Sequence, residues 1–314
     1  MEVILSGHAS TAQIAAFLVA LHMKGETVEE LIGFARAMRA RASQVPADLS
    51  AGPLLDTCGT GGDARGTFNI STIAAFVVAA AGVRVAKHGN RSISSRCGSA
   101  DVLERLGVRV AVEPDQAARA IREVGIAFLF APAFHPATRH AHAARLELKM
   151  RTIFNLLGPL TNPAGATAQL AGAPSEGAAR LIAEALAALG LERGFVVHGS
   201  DGLDEITITG PTLAYEIADG QVTRRTFTPQ DFGVEPAPIE ALQGGDPDEN
   251  CEIARAVLAG VCGPKRDVVL VNAAAALVVA GRADNFADGM AVAAEAIDSG
   301  AARRKLDELA AFTQ

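Results

Sequence analysis

Apolar residues near the start of the chain recur every three or four positions, in two stretches at residues 12–23 and 28–42. This spacing places the apolar side chains on one face of a helix. Ser10 and Thr27, residues of the type that caps helices, stand before the two stretches. The pattern predicts an αα hairpin, followed by a linker at residues 44–53, which contain Pro, Gly and Ser.

After the linker, short apolar runs of strand length alternate with stretches of helical spacing. This alternation favours an α/β fold with a mostly parallel central sheet. The predicted strands are residues 54–56, 83–86, 108–112, 128–131, 168–171, 194–198, 206–209, 212–217 and 222–227. The predicted helices are residues 73–81, 99–106, 115–124, 176–189, 249–258, 267–279, 286–299 and 301–312.

Residues 132–163 interrupt this alternation, because prolines stand near both ends and a polar helix fills the middle. His135 and Arg145 belong to this segment. An arginine offers a planar fork that matches a carboxylate, although a solvated helix face with scattered charge is the simpler interpretation of either residue alone. We expect an excursion from the sheet rather than another strand–helix repeat.

The composition is that of an ordinary globular protein, with 49% hydrophobic and 20% charged residues and a net charge of −7 over 314 residues. This length allows a large domain and a smaller one. The acidic balance argues against a nucleic-acid partner. No apolar run predicts a membrane span or a signal segment, so we expect no membrane partner and a cytoplasmic location. The four cysteines lack C-x-x-C spacing and are expected to be reduced thiols.

A glycine-rich loop and the start of a helix stand together in residues 56–99. Glycines let backbone N–H groups approach a ligand, and a helix N-terminus behind them favours an anion. The pattern therefore predicts a phosphate site, with a purely structural glycine turn as the alternative. The glycines are Gly59, Gly61, Gly62 and Gly66, and the cap-type residues that follow are Asn69, Ser71 and Thr72.

The surroundings of this loop are predicted to be positively charged, because residues 64–100 contain no Asp or Glu. Residues 59–64 match the dinucleotide pattern G-x-G-x-x-A, but no acidic residue follows at the distance that ribose binding requires. No Gly-Lys-Ser/Thr completes a P-loop either. We expect phosphate binding without a dinucleotide.

Asp204 and Glu205 form an adjacent acidic pair after a glycine turn. Such pairs are common on solvated loops. Beside a phosphate site, however, their oxygens suit Mg²⁺, which prefers a few carboxylates together with water and phosphate oxygens.

The motifs together resemble anthranilate phosphoribosyltransferase. They are GTGGD at residues 59–63, TFNIST at 67–72, KHGNRSISS at 87–95, FLFAPAFHPA at 128–137, RTIFNLLGPLTNP at 151–163 and GLDE at 202–205. The resemblance covers nearly the whole chain. It implies an enzyme that transfers the phosphoribosyl group of 5-phosphoribosyl 1-diphosphate (PRPP) to anthranilate, giving N-(5-phosphoribosyl)anthranilate and diphosphate, a step of tryptophan biosynthesis.

The resemblance also implies an architecture of two domains of the nucleoside-phosphorylase type. Residues 1–50, joined in space by roughly 132–152, would form a helical domain, and residues 51–314 an α/β phosphoribosyltransferase domain. A hinge would connect the two domains. A homodimer through the helical domain and Mg²⁺, as two ions, are further expectations.

The resemblance carries site roles onto matching positions. The expected catalytic residues are Lys87, His88 and Arg145, and the expected Mg²⁺ ligands are Ser71, Asp204 and Glu205. PRPP is expected to contact Gly59, Gly61, Gly62, Asp63, Thr67, Asn69, Ser71, Thr72, Lys87, Gly89, Arg91, Ser92 and Ser95. Anthranilate is expected near Gly59, His88, Asn90, His135 and Gly158, with its carboxylate at Arg145.

Three positions depart from the family's pattern. Met1 falls inside the family's first helical region, and this puts the dimer contact in doubt. Ala64 and Lys149 stand where glycines are frequent, without loss of a functional side chain. The alternative functions are a pyrimidine-nucleoside phosphorylase-like enzyme, opposed by the acidic pair and the GTGGD loop, and a non-catalytic nucleic-acid-binding relative, opposed by the charge.

Overall fold

A mixed sheet forms the centre of the structure, a computed structural model that describes residues 1–61, 65–91 and 96–314. The strands lie in the order β3-β2-β1-β4-β5-β6-β7, where the neighbours from β3 to β5 run parallel and β6 and β7 are antiparallel. The predicted, mostly parallel sheet is confirmed. The strands are β1 (Leu54–Asp56), β2 (Arg84–Gly89), β3 (Ile126–Phe130), β4 (Ala168–Gly172), β5 (Arg193–Gly199), β6 (Thr212–Ala218) and β7 (Gln221–Phe227).

Helices cover both faces of this sheet, and the predicted N-terminal hairpin is α2 and α3. Each begins with a capping box, in which Ser10 and Gln13, or Thr27 and Glu30, bond each other's backbone N–H groups. The helices are α1 (Glu2–Leu5), α2 (Thr11–Lys24), α3 (Val28–Arg39), α4 (Ile70–Ala80), α5 (Ser99–Arg105), α6 (Pro114–Glu123), α7 (Ala131–Phe134), α8 (Arg139–Leu148), α9 (Ile153–Leu157), α10 (Glu176–Ala188), α11 (Pro247–Leu258), α12 (Pro264–Val279), α13 (Phe286–Asp298) and α14 (Ala301–Thr313).

Two apolar cores lie on the two faces of the sheet. Phe195 and Val197 of β5 face the core that contains α4, α12, α13 and α14. Val196, which alternates with them, faces the core of α2, α3, α8, α9 and α10. The excursion at residues 132–163 therefore joins the N-terminal hairpin through α8 and α9, and both rest on α10.

Two predicted strands are wrong, because their backbones bond to side chains instead of a neighbouring strand. Residues 108–112 bury their alternating valines, but the N–H of Arg109 donates to Thr313 Oγ1 at 3.1 Å. Residues 206–209 bury two isoleucines, while the N–H of Ile206 donates to Asn272 Oδ1 and the N–H of Thr207 donates to Thr212 Oγ1, both at 3.0 Å. Alternation of apolar residues reports burial, and a strand also needs a partner for its peptide groups.

Membrane crossing requires about 20 consecutive apolar residues in a helix. Within the part of the chain that the structure describes, no helix combines that length with that apolar character.

Leu31 tests the packing of the helical layer on the sheet, because it is fully buried on α3, which contacts α10. We expect Leu31→Ala to lower the free energy of unfolding by about 2–5 kcal/mol through lost burial and the cavity left behind. Urea unfolding measures this change. Leu49→Ala, at an exposed leucine between α3 and β1, is the matched control and should shift it by less than about 0.5 kcal/mol. Equal effects would contradict the packing.

Candidate active site

Strand β2 carries Lys87 and His88 to the carboxyl edge of the sheet, where both side chains are buried. The sequence predicts that the strand ends at residue 86 and that a polar loop follows, but β2 continues and pairs these residues with Phe128 and Leu129 of β3. Successive side chains of a strand point to opposite faces. Lys87 therefore reaches α4, and His88 reaches the excursion.

The ammonium of Lys87 lies between the end of β1 and the first turn of α4. Its Nζ donates to the carbonyl of Thr57 at 2.8 Å and lies 3.3 Å from Thr57 Oγ1 and 3.4 Å from Ser71 Oγ. These oxygens compensate a charge that would otherwise be costly to bury. The cation is thus fixed beside the predicted phosphate loop.

Asp56, at the end of β1, fixes the backbone of His88. Its Oδ1 accepts from the N–H of His88 at 3.0 Å, and its Oδ2 accepts from Asn162 Nδ2 at 2.8 Å. Asn162 also donates to the carbonyl of Ala86 at 2.8 Å. Burial raises the pKa of Asp56 to about 6, although these donors and Lys87 oppose the shift. Both Asp56 and Asn162 stand in the family motifs or beside them, but sequence alone gives no sign of this pairing.

The acidic pair lies directly on the predicted phosphate loop. Asp204 Oδ2 accepts from the N–H of Gly61 at 2.9 Å, and Glu205 Oε1 accepts from the N–H of Ser71 at 3.1 Å. Gly59 faces the same carboxylate, because a Cβ there would lie 3.1 Å from Asp204 Oδ2. Burial and the neighbouring charge of Asp204 raise the pKa of Glu205. The structure therefore brings together the backbone groups that are predicted to bind phosphate and the carboxylates that are predicted to bind the metal.

These residues fit a hard divalent cation. Carboxylate and hydroxyl oxygens are the ligands that Mg²⁺ prefers, and the adjacent, half-buried carboxylates repel each other without a cation between them. A second group of possible ligands, Asp56, Cys58 and His88, fits less well. Both Asp56 oxygens already accept hydrogen bonds, and burial raises the pKa of the Cys58 thiol well above its usual range.

Helix α4 begins earlier than predicted, at Ile70, with Asn69 in the N-cap position. The Asn69 side chain does not cap the helix. It donates to the carbonyl of Cys97 at 3.3 Å and accepts from Asn250 at 3.1 Å. The Glu205 carboxylate takes over the capping of the first turn by accepting from Ser71, which is favourable at the positive end of a helix.

His88 and His135 form a pair of buried imidazoles whose ring centroids lie 5.2 Å apart. His88 Nδ1 lies 3.1 Å from the carbonyl of Gly158, and since a carbonyl can only accept, Nδ1 carries the proton. Burial lowers the pKa of His88 to about 3 and that of His135 to about 4. The Nε2 atoms of both rings are buried and have no hydrogen-bond partner among the described residues.

Arg145, on α8, is half-buried with its guanidinium 5.1 Å from the ring centroid of Phe154. Burial lowers its pKa. Among the described residues, no carboxylate pairs with it. A desolvated arginine without an acidic partner is suited to an anionic ligand.

The remaining predicted residues border this region. Thr67 bridges to Gln243, and a Cβ at Gly89 would collide with Phe128. The side chain of Asn90 is exposed and accepts from the N–H of Arg91. The guanidinium of Arg91 pairs with Asp101 at 3.0 Å and Glu104 at 2.7 Å, so its charge is directed to α5. The predicted residues that lie outside the described part of the chain are Gly62, Asp63, Ser92 and Ser95.

Two protein-family models match the chain. One, described as "Glycosyl transferase family, a/b domain", matches residues 51–303. The other, described as "Glycosyl transferase family, helical bundle domain", matches residues 1–42.

Individual relatives extend over almost the whole chain. The anthranilate phosphoribosyltransferase of Solibacter usitatus is 69% identical over 312 residues, which cover 99% of this chain and 92% of the relative. The crystal structure of the Thermus thermophilus enzyme of that name has a TM-score of 0.93 and 46% identity, covering 99% of this chain and 93% of the other. The Saccharomyces cerevisiae enzyme in complex with PRPP and Mg has a TM-score of 0.89 and 30% identity, covering 96% and 85%. Another structure of the yeast enzyme holds 4-fluoroanthranilate.

The buried histidines generate a prediction about acid stability. Because their pKa is lower in the folded protein than the ordinary 6.5, the unfolded chain binds protons that the folded protein does not as the pH falls from about 6.5 to 4. The free energy of unfolding therefore decreases with falling pH in this window. We expect His135→Asn to remove roughly 2 kcal/mol of that decrease between about pH 7 and 4.5, measured by urea unfolding.

Asp56, whose pKa is raised in the folded protein, increases the free energy of unfolding as the pH falls. Because the parent and His135→Asn both contain Asp56, this effect cancels in the comparison. His142→Asn, at an exposed histidine of α8, is the matched control. If the parent and His135→Asn lost the same stability on acidification, the neutral, buried state of His135 would be wrong.

Proposed function

The chain belongs to the anthranilate phosphoribosyltransferases, and on this premise we propose how its site residues divide the work of the reaction. The reaction transfers the phosphoribosyl group of PRPP to anthranilate, yielding N-(5-phosphoribosyl)anthranilate and diphosphate, in tryptophan biosynthesis. One observation carries the proposal: the carboxylates of Asp204 and Glu205 bond the same N–H groups, of Gly61 and Ser71, that a phosphate loop would offer to diphosphate.

PRPP is held on the α4 side of β2. Backbone N–H groups of residues 59–63 and the first turn of α4 bind its diphosphate, and Lys87 adds a fixed positive charge. Thr67, Asn69, Thr72, Gly89, Arg91, Ser92 and Ser95 complete this half of the site in our proposal.

Mg²⁺ binds with PRPP, and Ser71, Asp204 and Glu205 hold it. When bound, it neutralises charge on the diphosphate as that group leaves. Before they can bind the metal, the carboxylates of Asp204 and Glu205 must leave their present hydrogen-bond donors. Phosphate oxygens take over the N–H groups of Gly61 and Ser71, which releases both carboxylates toward the cation. Neither PRPP nor the metal alone satisfies all of these groups, so the two bind together.

Anthranilate lies on the other face of β2, against the excursion. The free Nε2 lone pairs of His88 and His135 accept the amine N–H groups, and Gly59, Asn90 and Gly158 border the ring. Arg145 binds the carboxylate. The aryl amine is neutral at pH 7, so the neutral imidazoles orient it without having to lose a proton first.

The bond from ribose C1 to the diphosphate oxygen breaks as the amine nitrogen forms its bond to C1 from the opposite face. The amine carries one proton too many after this step, and His88 or His135 accepts it. Charge grows on the leaving diphosphate, where Lys87 and the loop N–H groups stabilise it more strongly than in the ground state. Alignment of the amine with C1 contributes an entropic advantage of several kcal/mol, on the order of that in intramolecular reactions.

We extend the proposal to the wider organisation of the enzyme. Residues 1–50 with roughly 132–152 form the helical domain, and residues 51–314 the α/β domain. The enzyme acts in the cytoplasm with two Mg²⁺ ions and dimerises through the helical domain. Val3 of α1, Met23 of α2 and Leu146 of α8, all exposed apolar side chains in that region, support such a contact.

Arg145→Ala tests the carboxylate role. We expect KM for anthranilate to rise roughly 10- to 100-fold, because a charge-assisted hydrogen bond is lost, while KM for PRPP stays unchanged. Anthranilate fluorescence follows the reaction. Arg139→Ala, at an exposed arginine of the same helix, is the control and should leave both constants unchanged. An unchanged KM for anthranilate in Arg145→Ala would remove Arg145 from the substrate site.

The double variant Asp204→Asn/Glu205→Gln tests the exchange of partners. It should lose Mg²⁺-dependent turnover, yet bind inorganic diphosphate without metal roughly tenfold or more tightly than the parent, because negative charge beside the loop is removed. Calorimetric titration of diphosphate in a chelator measures this. The second Leu-Asp-Glu of the chain, at residues 306–308 on α14, supplies the control Asp307→Asn/Glu308→Gln. Weaker metal-free binding in the site variant would contradict the exchange.

A further inference from the structure

We infer that Asn272, on α12, is a positioning residue that fixes the segment carrying Asp204 and Glu205. This inference rests on the proposed function, in which these two carboxylates hold the Mg²⁺ that accompanies PRPP. Asn272 touches neither substrate in that proposal. It acts through the backbone that follows the acidic pair.

The amide of Asn272 holds both peptide groups of the residue after Glu205. Its Oδ1 accepts from the N–H of Ile206 at 3.0 Å, and its Nδ2 donates to the carbonyl of Ile206 at 2.9 Å. The second Nδ2 hydrogen goes to the carbonyl of Val268, one turn earlier on α12, at 2.9 Å. The peptide groups on both sides of Ile206 are therefore held by hydrogen bonds to one side chain of α12.

This contact replaces a strand partner. Residues 206–209 have the alternating pattern of a strand but form no ladder, so the buried peptide groups of Ile206 need other partners. Asn272 is 0% exposed and stands among fully buried apolar residues of α12. An apolar side chain would avoid the cost of burying an amide, but it would leave the two groups of Ile206 unpaired.

A second contact constrains the peptide group between Asp204 and Glu205. A Cβ at Gly172, the last residue of β4, would overlap the carbonyl oxygen of Asp204. The carbonyl of Gly172 also accepts from the N–H of Thr60 in the glycine loop at 3.0 Å. The end of β4 thus sets the distance between the acidic segment and the loop that Asp204 bonds.

Backbone held within the pair and directly after it lets the carboxylates change partners without moving the segment. In the proposed exchange, the side chains leave the N–H groups of Gly61 and Ser71 and turn to the metal. Groups that support metal ligands from behind typically influence metal affinity roughly 10- to 100-fold. Loss of the Asn272 amide should therefore weaken the metal site, in addition to any loss of stability.

The test compares Asn272→Ala with Thr313→Ala in the full chain. Thr313, 3% exposed on α14, also accepts from another segment's backbone N–H, that of Arg109, and donates to a carbonyl of its own helix. Calorimetric titration of PRPP at fixed, subsaturating Mg²⁺ reports the metal site without turnover, and thermal unfolding without ligand reports stability. Asn272→Ala should weaken PRPP binding about tenfold or more, with recovery at high Mg²⁺. Thr313→Ala should lower Tm and bind PRPP as the parent does.

The inference would be overturned if Asn272→Ala bound PRPP as tightly as the parent does, or if Thr313→Ala weakened PRPP binding by the same factor. If Asn272→Ala fails to fold, Gly172→Ala decides, with Gly177→Ala as control because a Cβ there meets nothing within 4 Å. Weakened binding in Gly172→Ala alone supports the fixed segment, and parental binding overturns it. The variant Asp204→Asn/Glu205→Gln separates the two levels. If this double variant keeps Mg²⁺-dependent PRPP binding, the proposed metal role of the two carboxylates fails. If the double variant loses that binding while Asn272→Ala keeps it, only the inference about Asn272 fails.

Discussion

Buried charge at the carboxyl edge of the parallel strands is the constraint on which this site depends. Lys87 and Asp56 are buried there, and the carboxylate of Glu205 lies nearby with a raised pKa. Each charge is tolerable only because fixed groups face it: Thr57 and Ser71 around the ammonium, His88 N–H and Asn162 around Asp56. At the acidic pair, the N–H groups of Gly61 and Ser71 face the carboxylates, and this is where the proposed function brings a cation and a polyanion together.

The alternation of one strand divides the site into two halves. Lys87 and His88 are neighbours on β2, yet one reaches the glycine loop and α4 while the other reaches Gly158 and His135. The ionic half suits PRPP, and the half with neutral imidazoles suits an uncharged amine. In the proposed function, the reacting C1 belongs to one ligand and the amine to the other, so the two would meet at the end of β2.

Sequence predicted the fold class and most of its helices and strands, but not how buried groups pair. The alternation of apolar runs and the cap residues located nearly every helix. The wrong strands at residues 108–112 and 206–209, and the wrong prediction that β2 ends at residue 86, share one cause: side-chain polarity does not show which partners buried groups find. Lys87 looked too polar for a strand, and Asn272 is a single amide in an apolar helix. No local pattern reveals that Lys87 bonds to Thr57 or that Asn272 bonds to Ile206.

The central claim is that diphosphate and the acidic pair use the same N–H groups. The most direct measurement is a crystal structure of the chain with PRPP and Mg²⁺, compared with the ligand-free protein. We predict that the N–H groups of Gly61 and Ser71 donate to phosphate oxygens in the complex and that Asp204 and Glu205 face the metal. If both carboxylates still accepted from Gly61 and Ser71 while PRPP was bound, the account would be contradicted.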